Sequence, residues 1–177
     1  MLLVIRQAHN RKICLRAVLI VIVMFGVVAI VGANQTPSEA VQLRQAARHV
    51  QKDELDKAEQ ILQKLLRQRS DSSEAFELLG LVRMKQQRFD EAESFFLRAI
   101  RINPRLANAH INLGHLYKQS NRLELARQSF QNAAGILPRN AAVLYNLALV
   151  LADLRQFDKA IDTLKAIPAT ERPPDYS

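Results

Sequence analysis

His110 and His115 are the side chains in this chain best suited to metal binding or proton transfer. Five residues separate them, so on a helix they point to different faces. His115 has no acidic partner four residues away on either side, and His110 recurs in a position that packing explains better. The carboxylates Asp90, Glu91, Glu93 and Asp158 fall in turns and first helical turns, where they favour the helix N-terminus rather than forming a catalytic pair. No HExxH, P-loop or GxSxG sequence occurs. The single cysteine, Cys14, excludes an internal disulfide and a cysteine-based zinc site. These residues predict neither an enzyme nor a metal or cofactor site. A different chemistry is offered by Asn112 and Asn146, whose amides can donate to and accept from an extended peptide backbone.

Asn112 and Asn146 stand 34 residues apart, and this step runs through the chain. Ala58, Ala92, Ala126 and Ala160 keep it. So do Leu55, Phe89, Leu123 and Phe157 before them, and Leu62, Phe96, Phe130 and Leu164 after them. Twelve residues before each alanine comes a small residue: Ala46, Gly80, Gly114 and Ala148. A period of 34 in this register describes stacked helix hairpins, each burying its apolar face against its neighbours. In the second unit, 74–86 reads as the first helix, Gln87-Arg88 as the turn and 90–102 as the second helix, ended by Asn103-Pro104. The small residues mark where the two helices cross closely. A glycine costs a helix roughly 1 kcal/mol relative to alanine, so its presence twice indicates that close approach outweighs propensity.

Composition agrees with an all-α protein. About half of the 177 residues are apolar, six per cent are aromatic, tryptophan is absent, and glycine and proline are scarce. The formal charge is +8. Arg6, Arg11, Lys12 and Arg16 precede an apolar stretch with no acid among them, which leaves a dispersed surplus of only four over the rest. Clustered Lys/Arg with aromatic platforms would be needed for nucleic acid, and none is expected as a partner.

The apolar stretch, 17–33, reads AVLIVIVMFGVVAIVGA without a charge. As a helix it covers roughly 25 Å, the lower limit for a bilayer core. It predicts a transmembrane signal anchor behind a basic cytoplasmic segment, 1–16. The positive-inside rule then exports everything after the 34–38 linker, into the periplasm if the cell is bacterial. Cleavage after Ala33, giving a secreted protein, is the alternative.

The repeating residues resemble the tetratricopeptide repeat family. Phe76, Leu79-Gly80, Ala92, Phe96, Ala99 and Pro104 carry its signature, as do Leu113-Gly114, Tyr117, Ala126, Phe130, Ala133 and Pro138. Arg83 departs from it in the tyrosine slot and His110 in the tryptophan slot. The resemblance implies a right-handed α-solenoid of four hairpins: a degenerate 39–72, then 73–106, 107–140 and a shortened 141–168 before a tail, 169–177. Gln42, Gln45 and His49 suit a terminal repeat that turns one face to water, and Pro168 cuts the last helix short. Ile161, Leu164 and Ile167 then lack a capping helix, which leaves self-association through this end, or a truncated longer array, as expectations.

In this family the first helices line a concave groove that takes a peptide or helix of a protein partner. By that register the groove carries Leu78, Leu81, Asn108, Ile111, Asn112, His115, Tyr145, Asn146 and Leu149. The paired-lysine clamp by which some members hold chaperone C-termini has no counterpart here: Glu77, Leu81, Ile111, Asn112 and His115 fill its slots. The expected function is a membrane-anchored scaffold that aids assembly of an envelope complex. The alternatives are a substrate-recognition arm of a longer enzyme and a mitochondrial outer-membrane receptor with cytosolic repeats.

Overall fold

A computed structural model of the chain describes residues 38–168. They form eight α-helices and no strand: α1 (Glu39–Gln51), α2 (Leu55–Gln68), α3 (Ser73–Lys85), α4 (Phe89–Ile102), α5 (Ala107–Gln119), α6 (Leu123–Ile136), α7 (Ala141–Asp153) and α8 (Phe157–Lys165). Successive pairs make four antiparallel hairpins, and each second helix packs on the first helix of the next hairpin. Neighbouring first helices also touch, α1 with α3 and α3 with α5. The helices expected at 74–86 and 90–102 are found at Ser73–Lys85 and Phe89–Ile102. The expected transmembrane segment, 17–33, lies outside the described residues. Among those described, no helix is long and apolar enough to cross a membrane.

Each hairpin turn has the same backbone. Asp53, Gln87, Asn121 and Arg155, one period apart, adopt φ of 60°, 61°, 56° and 58°. The next residue's amide reaches back to close a Schellman motif: Arg88 N–H donates to the Arg83 carbonyl at 2.9 Å while Gln87 N–H donates to Met84 at 3.0 Å. Left-handed backbone costs an L-residue roughly 1–2 kcal/mol and glycine almost nothing. Gln87→Gly should therefore stabilise the fold by up to about 1 kcal/mol, read as a higher urea midpoint at unchanged slope. A lower midpoint would show that the Gln87 side chain contributes more than its backbone strain.

The core follows the small residues. Phe96 and Phe130 are fully buried beneath Gly80 and Gly114. A Cβ built on Gly114 would lie 2.7 Å from the Phe130 ring, and one on Gly80 would overlap the ring of Phe96. In the outer hairpins the small residue is Ala46 or Ala148, and sixteen residues later stands Leu62 or Leu164 instead of phenylalanine. The sum of the two side chains is conserved along the array, as close packing requires. His110 is buried and its Nε2 lies 3.0 Å from the Pro104 carbonyl, a packing role that fits its slot. Gln42 differs from expectation. Rather than facing water it is 6% exposed, with its amide 3.5 Å from Gln68 Oε1 on α2. Pairing with a second amide on the same hairpin makes that burial tolerable.

Ser72 supplies a side-chain cap to α3 and Asn140 one to α7, each accepting from a backbone N–H three residues on, and both are first helices. Second helices start from the Schellman turn without one, and Asp56, Asp90 with Glu91, Glu124 and Asp158 supply negative charge in their first turns.

Candidate groove of the first helices

The groove side chains come from α3, α5 and α7. Ile111, Asn112, Tyr145, Asn146, Leu149 and Leu81 are half-buried, and Asn108 and His115 are exposed. Leu78 is only 9% exposed and belongs to the core beneath the groove. His115 sets its ring edge-on to Phe130, with centroids 5.2 Å apart. Partial desolvation and the charge of Lys118 lower its pKa, so the imidazole is a neutral, half-apolar contact. Lys118 pairs with Asp153 of α7 at 3.5 Å, along the same run of first helices.

The two asparagines are already engaged. Asn146 Nδ2 donates to the Ala142 carbonyl of its own helix at 2.8 Å. Asn112 Nδ2 donates to Glu77 Oε1 at 2.6 Å, linking α5 to α3. They share a register position but not a partner, so they do not form two equal rungs of a ladder.

Glu77 is the electrostatic anomaly of this face. It is 8% exposed, and burial raises its pKa to about 7; the Asn112 hydrogen bond lowers it and the Glu74 charge raises it further. The folded chain thus holds this proton more tightly than the unfolded chain, whose carboxyl titrates near 4.5. Stability contributed by Glu77 is present at low pH and is lost as pH rises from about 4.5 through 7. Glu77→Gln keeps an acceptor for Asn112 and removes the ionisation. It should stabilise the fold at pH 8 by about 2 kcal/mol and leave it nearly unchanged at pH 4. Urea titrations at both pH values would show this; an equal effect at both would mean the charge is not the cause.

A second polar system ties the repeats together, and periodicity alone does not reveal it. Glu59 on α2 takes two hydrogen bonds from the Arg83 guanidinium on α3, at 2.7 and 2.6 Å, while Arg83 Nε donates to Glu91 on α4 at 3.1 Å. One period on, Glu93 on α4 accepts from the Tyr117 hydroxyl on α5 at 2.7 Å and from Arg122 at 2.7 Å, with the Arg122 guanidinium 4.4 Å over the Tyr117 ring. The Arg83 hydrogen bonds hold the Glu59 carboxyl below its ordinary range. Burial works to raise Glu93, but its bonds from Arg122 and Tyr117 outweigh burial and lower it. Burial and the Glu93 bond push the Tyr117 hydroxyl up to about 12, so it remains a donor. Glu93 is thus a bridge between repeats rather than a helix-terminus charge. The signal available in the sequence was Glu59 and Glu93 at one register position, each with a donor 24 residues later.

On the opposite side, between α4, α5 and α6, a cavity of about 280 Å³ is lined by Leu97, Ile100, Leu113, Leu125 and Asn132 among others. Among the described residues, no three His, Cys, Asp or Glu side chains are placed to hold a metal ion.

Comparison with known proteins agrees with this geometry. The sequence matches the family described as Tetratricopeptide repeat over 71–139 and again over 124–177. It is 32% identical over 91 residues to Superkiller protein 3 of Schizosaccharomyces pombe, a match that spans 51% of this chain and 7% of that protein. The fold resembles a crystal structure of MamA, with a TM-score of 0.65 at 20% identity over 78% of this chain and 80% of that one. It also resembles the structure of pilF from Pseudomonas aeruginosa, with a TM-score of 0.66 at 21% identity over 71% of this chain and 58% of that one. At such identities the likeness is one of fold. Together the two family matches run from 71 to 177, more than half of the sequence, and this chain belongs to the tetratricopeptide repeat family.

Proposed function

We propose that this protein is a membrane-anchored scaffold whose first helices hold a peptide or helix of a protein partner. The carrying observation is the shared face of α3, α5 and α7, where Leu81, Ile111, Tyr145 and Leu149 stay half-exposed on a preordered backbone. A groove built before binding loses little ordering entropy when it is filled. The sequence of 17–33 supports the anchor, and its basic flank supports export of the repeats, which wind as a right-handed solenoid. In that setting the scaffold would bring partners together in an envelope complex.

The test uses the full chain in detergent. Wild-type protein should retain a specific partner from a membrane extract, and Ile111→Asp should lose it without loss of helicity. A partner retained equally by both would contradict the groove. Carbonate extraction should leave the chain in the membrane at full mass; release at reduced mass would mean cleavage after Ala33.

A second reading is favoured by the end of the array. Phe157 and Ile161 on α8 are 58% and 50% exposed. They would suit a further repeat, in which case these hairpins are the recognition arm of a longer protein, or contact with a second copy. Sedimentation of the full chain separates the two: a monomer argues against self-association.

A further inference from the structure

We propose that Glu77 is a recognition point for a basic side chain, a lysine or arginine carried between apolar residues of the bound segment. This rests on the groove reading above and names the chemistry of its partner. The same register position is Leu43, Ile111 and Tyr145 in the other three hairpins, so the fold itself does not call for a carboxylate there. Glu77 is nonetheless only 8% exposed, with the half-buried Leu81 one turn on along the same helix and the half-buried Ile111 beside Asn112 in sequence on α5.

A buried carboxylate is stable when it is paired and fully hydrogen-bonded. Its two oxygens offer about four acceptor sites. Asn112 supplies one donor, at 2.6 Å. The charge that bears on Glu77 among the described residues is that of Glu74, one turn earlier on the same helix, and it repels. An arriving ammonium or guanidinium would supply the missing donors and offset both like charges. Its aliphatic stem would lie along Leu81 and Ile111, as long basic side chains do on apolar surface. An acidic segment would meet the same two carboxylates as repulsion. Asn112 then acts as a positioning residue that aims the carboxylate.

The test presents a positional-scanning library of short peptides to the full chain in detergent, read by fluorescence polarisation. The best binders should carry Lys or Arg flanked by apolar residues. Glu77→Gln, which keeps the Asn112 bond, should weaken them by about tenfold or more, while binding of the same peptides with alanine at the basic position stays unchanged. Binders without a basic preference, or a basic-to-alanine ratio that Glu77→Gln leaves intact, would overturn the proposal. Ile111→Asp separates the two levels, with helicity checked by circular dichroism. Binding that it abolishes and Glu77→Gln spares refutes the basic anchor alone. Binding that survives it, or no binding at all, refutes the groove and the anchor together.

Discussion

Replacing Gly114 with leucine should lower the thermal unfolding midpoint by about 10 °C, roughly 3 kcal/mol. The first added carbon already meets the Phe130 ring at 2.7 Å, and that ring is fully buried. Relief requires α5 and α6 to separate, which opens the core of the third hairpin. A finer test uses the array's own solution to the same problem. Alanine stands over leucine in the outer hairpins, at Ala46 with Leu62 and Ala148 with Leu164. Gly114→Ala alone should cost about 2 kcal/mol by overpacking, and Phe130→Leu alone about 1–2 kcal/mol by the space it leaves. The double variant should recover at least half of the summed loss, a coupling of the size expected for residues in contact. Additive losses would mean that the crossing is set by something other than this pair.

Arg83→Ala should destabilise by about 2–3 kcal/mol, because it strands Glu59 and removes the tie from α2 through α3 to α4. The lower end applies because the Glu59 side chain keeps 20% of its exposure. Arg83→Tyr should cost less than half as much. A tyrosine hydroxyl can donate to Glu59 as Tyr117 donates to Glu93 one period later. The two variants remove the same charge, so a difference in urea midpoint reads what the tyrosine restores with its hydroxyl and its buried ring together. Equal losses would show that charge pairing alone matters. Acid should reduce the wild-type advantage, since the lowered Glu59 carboxyl contributes above its ordinary pKa and stops contributing once it is protonated.

The 34-residue step carried most of the fold. It aligned like positions, and like positions in stacked hairpins share an environment, so Gly80 and Gly114 are legible as close helix crossings from the sequence, while the rings they cover, Phe96 and Phe130, are seen only in the structure. His110 became a packing residue by the same alignment. Contacts between unlike positions escaped it. Arg83 reaches Glu59 across 24 residues and Asn112 reaches Glu77 across 35; superposed repeats show Glu59 over Glu93 and Arg83 over Tyr117, but not that the two slots touch. A polar residue on a helix reads as solvated unless its partner is known, which is why the sequence points Glu93 to a helix end and Gln42 to water, and offers no role for Glu59. The asparagines were assigned to a peptide for the same reason, and one of them has a partner inside the groove instead. Leu78 shows the limit of register itself: it lies on the groove side of α3 and is still core.

The central claim is that partners lie against the first helices and not the second. Site-specific photocrosslinking in intact membranes tests it most directly, with a photoreactive residue at Ile111 or Leu149 on one side and at Leu97 or Leu125 on the other. The account predicts that a protein adduct of one defined mass forms from Ile111 and Leu149 and not from Leu97 or Leu125. Adducts from Leu97 and Leu125 alone would place the interface over the α4–α6 cavity and contradict the groove.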